Sequence, residues 1–158
     1  MLVTALDQNL ALRGVVFSWT VHGPPTVSQE SLTGVGRGHP SLALTISAAR
    51  SAPPLTSVSI GPTGGLRFSG ARGHVKVAGA GGRRIAFSSR VTRGRLVLTL
   101  RAVASRIRVT VSYNLLRASA SLAARVRGNH GSALKVNVAT TDAGHGANTT
   151  AVRIRPRN

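Results

Sequence analysis

Only three carboxylates, Asp7, Glu30 and Asp142, are spread over 158 residues, against nineteen arginines, two lysines and five histidines. Catalysis by paired carboxylates needs two acids facing one substrate. Asp7 and Asp142 instead occupy equivalent turns in two similar stretches of chain. A serine nucleophile needs a base and an orienting acid, yet no Gly-x-Ser-x-Gly elbow occurs, and His22, His39, His74, His130 and His145 all lie beside turn sequences. No cysteine is present, which removes disulfides, thiolate zinc sites and cysteine nucleophiles. Asp142, His145 and His130 can be drawn together as a metal site, but an aspartate in a turn more commonly bonds its own backbone. Calcium takes roughly six to eight oxygens, mostly from carboxylates, and three acids do not supply them. The residues predict no enzyme, no cofactor and no metal.

Glycine-rich stretches at Gly34-Val-Gly-Arg-Gly and Gly79-Ala-Gly-Gly-Arg-Arg invite comparison with phosphate-binding loops. Such loops work with a helix N-terminus and a following Gly-Lys-Ser/Thr, which neither stretch has. The second reads as a hairpin turn joining Val75–Val77 to Ile85–Phe87.

The formal net charge of +18 favours polyanionic partners. A compact chain of 16.3 kDa exposes about 7,500 Å², so evenly spread charges would sit about 20 Å apart, beyond the Debye length of about 8 Å. Tight binding therefore requires clustering. With Leu96, Leu98 and Leu100 inward, Arg95 and Arg101 point out; with Ile107, Val109 and Val111 inward, so do Arg106 and Arg108; Arg153 and Arg155 flank Ile154 in the same way. If these strands share a sheet, their arginines form a cationic face for nucleic acid or an anionic cell-wall polymer. The plain alternative is a solvated exterior in which arginine keeps strands soluble. Readers of single strands interleave aromatic residues with basic ones, and only Phe17, Trp19, Phe68, Phe87 and Tyr113 are aromatic. Sequence-specific recognition of nucleic acid is not expected.

The elements that position these groups are strands. Apolar residues alternate at Val15, Phe17, Trp19, Val21; Leu42, Leu44, Ile46; Val58, Ile60; Leu66, Phe68; Val75, Val77; Ile85, Phe87; Leu96, Leu98, Leu100; Ile107, Val109, Val111; Leu134, Val136, Val138; and Val152, Ile154. Glycine and proline punctuate them about every 8–12 residues, the spacing of a sandwich or barrel. Leu115 to Val126 fits helical spacing, but Ala120, Leu122, Ala124 and Val126 also alternate, which favours a strand. No apolar run approaches the roughly 18 residues of a membrane helix, so no membrane insertion is expected. The opening Met-Leu-Val-Thr-Ala-Leu-Asp lacks the regions of a signal peptide.

One internal repeat emerges without gaps: Val3-Thr-Ala-Leu-Asp7 overlays Val138-Ala-Thr-Thr-Asp142, and Phe17 and Trp19 overlay Val152 and Ile154. Each half reads as strand, turn at aspartate, loop and strand. Residues 1–23 are then the closing hairpin of a preceding module plus its linker, His22-Gly-Pro-Pro, and 24–158 form one complete module.

Residues 3–21, with Asp7 in the turn and Val-Val-Phe-Ser-Trp-Thr-Val closing, resemble the last two strands of immunoglobulin-like domains found in tandem in bacterial surface proteins. Residues 31–68 resemble a repeat module of secreted bacterial proteins through Ser31-Leu-Thr-Gly-Val, Leu42-Ala-Leu-Thr-Ile, Ala52-Pro-Pro-Leu, Val58-Ser-Ile and Gly65-Leu-Arg-Phe. The segments Arg95-Leu-Val-Leu-Thr-Leu and Leu134-Lys-Val-Asn-Val-Ala-Thr-Thr-Asp are similar to its closing half. The resemblance implies an all-β, antiparallel immunoglobulin-like sandwich, extracellular or on the cell surface, with neighbouring immunoglobulin-like modules as partners and a non-catalytic structural or adhesive role. Gly61-Pro-Thr-Gly-Gly-Leu departs from that module's usual Leu-Pro-x-Gly-Leu, and Leu10 stands where a turn glycine is common.

Overall fold

Alternation dictates the layers. Val58 and Ile60 on one strand, Leu96 and Leu98 on its neighbour, and Val136 and Val138 on the next are all buried, whereas the residues between them face outward. A second sheet offers Leu42, Leu44, Ile46, Ile107, Val109 and Val111 in the same way. Burial of each such side chain contributes about 1.5–3 kcal/mol. The two apolar faces therefore close on each other.

The computed structural model describes residues 2–6, 12–16, 23–69 and 74–157. Its strands are β1 (Leu2–Leu6), β2 (Leu12–Val16), β3 (Thr26–Thr33), β4 (Ser41–Ser47), β5 (Leu55–Pro62), β6 (Leu66–Phe68), β7 (Val75–Ala78), β8 (Phe87–Thr92), β9 (Arg95–Ala104), β10 (Arg106–Val111), β11 (Leu116–Ala118), β12 (Leu134–Asp142), β13 (Ala147–Ile154) and β14 (Pro156–Arg157), with one helix, α1 (Ala120–Arg127). One sheet runs β14-β3-β4-β10-β7 and the other β13-β12-β5-β9-β8. β1-β2 and β6-β11 form separate two-stranded sheets, the latter contributing Leu66, Phe68 and Leu116 to the core.

This order identifies the fold. Taking β3, β4, β5, β7, β10, β12 and β13 in chain order as strands A to G, the first sheet contains A-B-E-D and the second G-F-C, the immunoglobulin arrangement. Two features are added. The β8-β9 hairpin lies between D and E in sequence and extends the G-F-C sheet beside strand C, and β14 runs parallel to β3 at the edge of the other sheet. The chain is an all-β immunoglobulin-like sandwich.

Three expectations are adjusted. Residues 120–127 form a helix, not a strand: the Ser119 side chain accepts a bond from Leu122 N at 3.2 Å, Gly128 N donates to Ala124 O, and Leu122 and Val126 are buried while Ala120 and Ala124 are exposed. An i, i+4 pair explains that pattern and period two does not. The Gly79 turn forms, with Gly79 N bonded to Arg83 O and Ile85 N to Val77 O, but Phe87 then leaves for the opposite sheet as the start of β8. The strand near Val15 begins earlier, at Leu12; Phe17, Trp19 and Val21 lie outside the described residues, as does Asp7.

Candidate functional site

Asp142, the acid a catalytic or metal site would need, is buried in the turn between β12 and β13. Its Oδ1 accepts bonds from Gly144 N at 2.9 Å and Gly146 N at 2.8 Å, and its own N–H donates to Gly146 O. That is the turn role expected of it. His145 occupies a left-handed position of the same turn, φ 64°, and His130 follows the end of α1. His39 sits edge-on to Tyr113, ring centroids 4.8 Å apart. Among the described residues no three His, Cys, Asp or Glu side chains group where they can hold a metal. The Gly34 stretch is a turn that inserts Val35 into the core, with His39 N bonded to Gly34 O.

All six candidate arginines are exposed, but they do not make one face. β10 lies in the first sheet, while β9 and β13 lie in the second with β5 and β12 between them. At about 4.8 Å per strand, Arg95 and Arg153 are separated by well over a Debye length from edge to edge unless their long side chains lean together. Arg95 lies over Gly61, where an added Cβ would sit 3.2 Å from its Nε. Arg153 faces Lys135 directly across β12-β13. Arg155 borders a cleft of about 540 Å³ between α1 and β14, together with Arg157 and Asn129.

Arg106, Arg108 and Arg101 fare differently. Arg106 and Arg108 line a cleft of about 280 Å³ on the outer face of the first sheet, walled by Ala78 to Gly82 and floored by Thr45. Thr45 points outward yet is buried, because Gln29 folds over it from a bulge in β3; Gln29 Oε1 accepts from Thr45 Oγ1 at 3.0 Å and from Arg108 Nη1 at 3.3 Å. Arg101 lines a neighbouring cleft of about 450 Å³ with Lys76, Arg84 and Phe87. Lys76 and Arg84 were not singled out in the sequence, although the Gly79 turn carries the signal: a tight reversal there brings Arg84 opposite Ala78.

The fold and site thus define an antiparallel immunoglobulin-like sandwich whose exposed cations gather in separate clefts. Among solved structures, the collagen binding subdomain ACE19 of the Enterococcus faecalis surface protein ACE is similar at 9% identity and a TM-score of 0.43, covering 89% of this chain and 100% of that one. Collagen adhesin (CNA) from S. aureus is similar at 9% identity and 0.39, over 92% of this chain and 52% of that one. A DUF4466 family protein from Parabacteroides merdae ATCC 43184 gives 10% and 0.43, and this chain spans 46% of its length. No family model and no curated protein matches the sequence.

Proposed function

We propose that this chain is part of a tandem array of immunoglobulin-like modules in a bacterial secreted or surface protein, where it acts without catalysis as a structural and adhesive unit. One observation carries the reading. The five pairs of the β1-β2 hairpin, from Leu2↔Val16 to Leu6↔Leu12, fall on Asn137↔Ala151 through Thr141↔Ala147 of β12-β13 when shifted by 135 positions. The cross-strand register coincides over all five pairs, and the shifted start of β2 falls on the start of β13, although β12 and β13 run longer than β1 and β2. In the sandwich, that hairpin is strands F and G, and F takes strand C on its other side. On this reading residues 1–23 are the F–G hairpin of a preceding module with its linker, and the module at 24–158 follows after one repeat.

Amide hydrogen exchange on the full chain tests this. A two-stranded hairpin without its sheet is marginal in water, so amides of Leu2–Leu6 and Leu12–Val16 exchange far faster than those of β12, which is held on both edges. Protection of β1 equal to that of β12 would make the hairpin an integral part of this sandwich and end the tandem reading.

A further inference from the structure

The geometry points to a binding track for a linear polymer carrying tetrahedral oxyanions, running from the Arg106/Arg108 cleft across the Ala78–Arg84 turn to the Lys76/Arg84/Arg101 cleft. The two clefts flank one hairpin turn, because Ala78 both pairs with Arg108 in the sheet and bridges to Arg84 after the turn. Register places Arg108 and Arg84 on either side of Ala78, about two strand spacings or 10 Å apart. Arg106 lies two residues along β10, about 7 Å from Arg108 at the Cα. The lining between them is of small residues: Thr45 on the floor, and Ala78, Ala80 and three glycines in the wall, with Gly81 and Gly82 at φ 67° and 79°.

Long cationic side chains around a low floor leave room for a chain of anions to lie down. Guanidinium groups suit this work because each offers paired donors to two oxygens of one phosphate or sulfate. Among the described residues no carboxylate lines either cleft, and the one side-chain acceptor bonded to these five cations is the neutral Gln29 Oε1, which takes a bond from Arg108 Nη1 at 3.3 Å. Among the described residues the one aromatic ring lining these clefts, Phe87, is half-buried against the core, which offers no exposed platform for base stacking and disfavours a nucleic acid. The same oxyanion chemistry occurs on phosphate polymers and on sulfated glycans.

The test measures binding of the full chain to inorganic polyphosphate and to a heparin oligosaccharide of matched charge, from about 50 to 200 mM salt. With five contacts the log–log slope reaches about −3.5 on the single-strand coefficient. R106Q/R108Q and, separately, K76Q/R84Q/R101Q each weaken binding more than tenfold and flatten the slope, while R95Q/R153Q, which removes two charges elsewhere, changes affinity less than twofold. Melting curves confirm that each variant folds. Tighter binding of one polymer than the other assigns the anion's source. Equal losses from R95Q/R153Q and R106Q/R108Q would reduce the effect to net charge, and no saturable binding to either polymer would overturn the track.

Discussion

Asp142 carries the connection between the two strands that close the sandwich. Two backbone N–H groups converge on Oδ1, and the glycines that supply them leave room for it: a Cβ at Gly146 would fall 2.7 Å from Oδ2. Leaving those donors unpaired costs about 1–3 kcal/mol. Asp142→Ala therefore lowers unfolding free energy by about that amount, whereas Asp142→Asn, which keeps the accepting oxygen, lowers it by less than about 1 kcal/mol; urea unfolding of both variants checks the difference, and equal losses would show that these bonds do not hold the turn. This residue was legible in sequence, because Asp142-Ala-Gly-His-Gly, an aspartate with glycines two and four residues on, has a local meaning. The outward direction of the six arginines was legible for the same reason. Their grouping was not, since it depends on which sheet each strand joins. Arg84 entered the candidate track only through the Ala78 bridge.

At the scale of elements, period two located most strands of both sheets, passed over β3 and β14, whose apolar residues do not alternate, and misassigned one segment. Ala120, Leu122, Ala124 and Val126 satisfy both alternation and the i, i+4 rule, and the decision came from Ser119 at the N-cap and Gly128 at the C-cap. Gly65 confirms how closely the helix seats: an added Cβ there would lie 2.7 Å from Ser119 Oγ and 3.2 Å from Leu122 Cβ. Ser119→Ala removes the cap and costs about 1 kcal/mol of stability with loss of helical signal in circular dichroism. In a strand the same substitution would be close to neutral, so an unchanged stability would contradict the helix. The β8-β9 hairpin was readable as two strands but not as an insertion between D and E. Its partner, β5, is contributed from before the intervening β6 and β7.

For the whole molecule, an all-β sandwich or barrel followed from turn spacing and aliphatic alternation, which are global patterns, and the resemblance narrowed it to an immunoglobulin-like sandwich, while sheet membership required the long-range pairings β5-β12, β5-β9 and β4-β10. Net charge was legible as a number and misleading as a surface: among the described residues the six singled-out arginines are divided between the two sheets and the clefts they border. The central claim is that the sandwich from β3 to β14 is a complete folding unit. Pro25 is its first buried residue, and its carbonyl accepts a bond from Thr150 Oγ1 at 3.1 Å. The direct test compares thermal unfolding of the full chain with that of a chain beginning at Pro25. For a domain of this size about 1 kcal/mol moves Tm by roughly 2–4 °C. Both chains unfold in a single cooperative transition, with Tm values within about 2 °C; loss of cooperative unfolding in the shorter chain would make the first hairpin part of the folding unit.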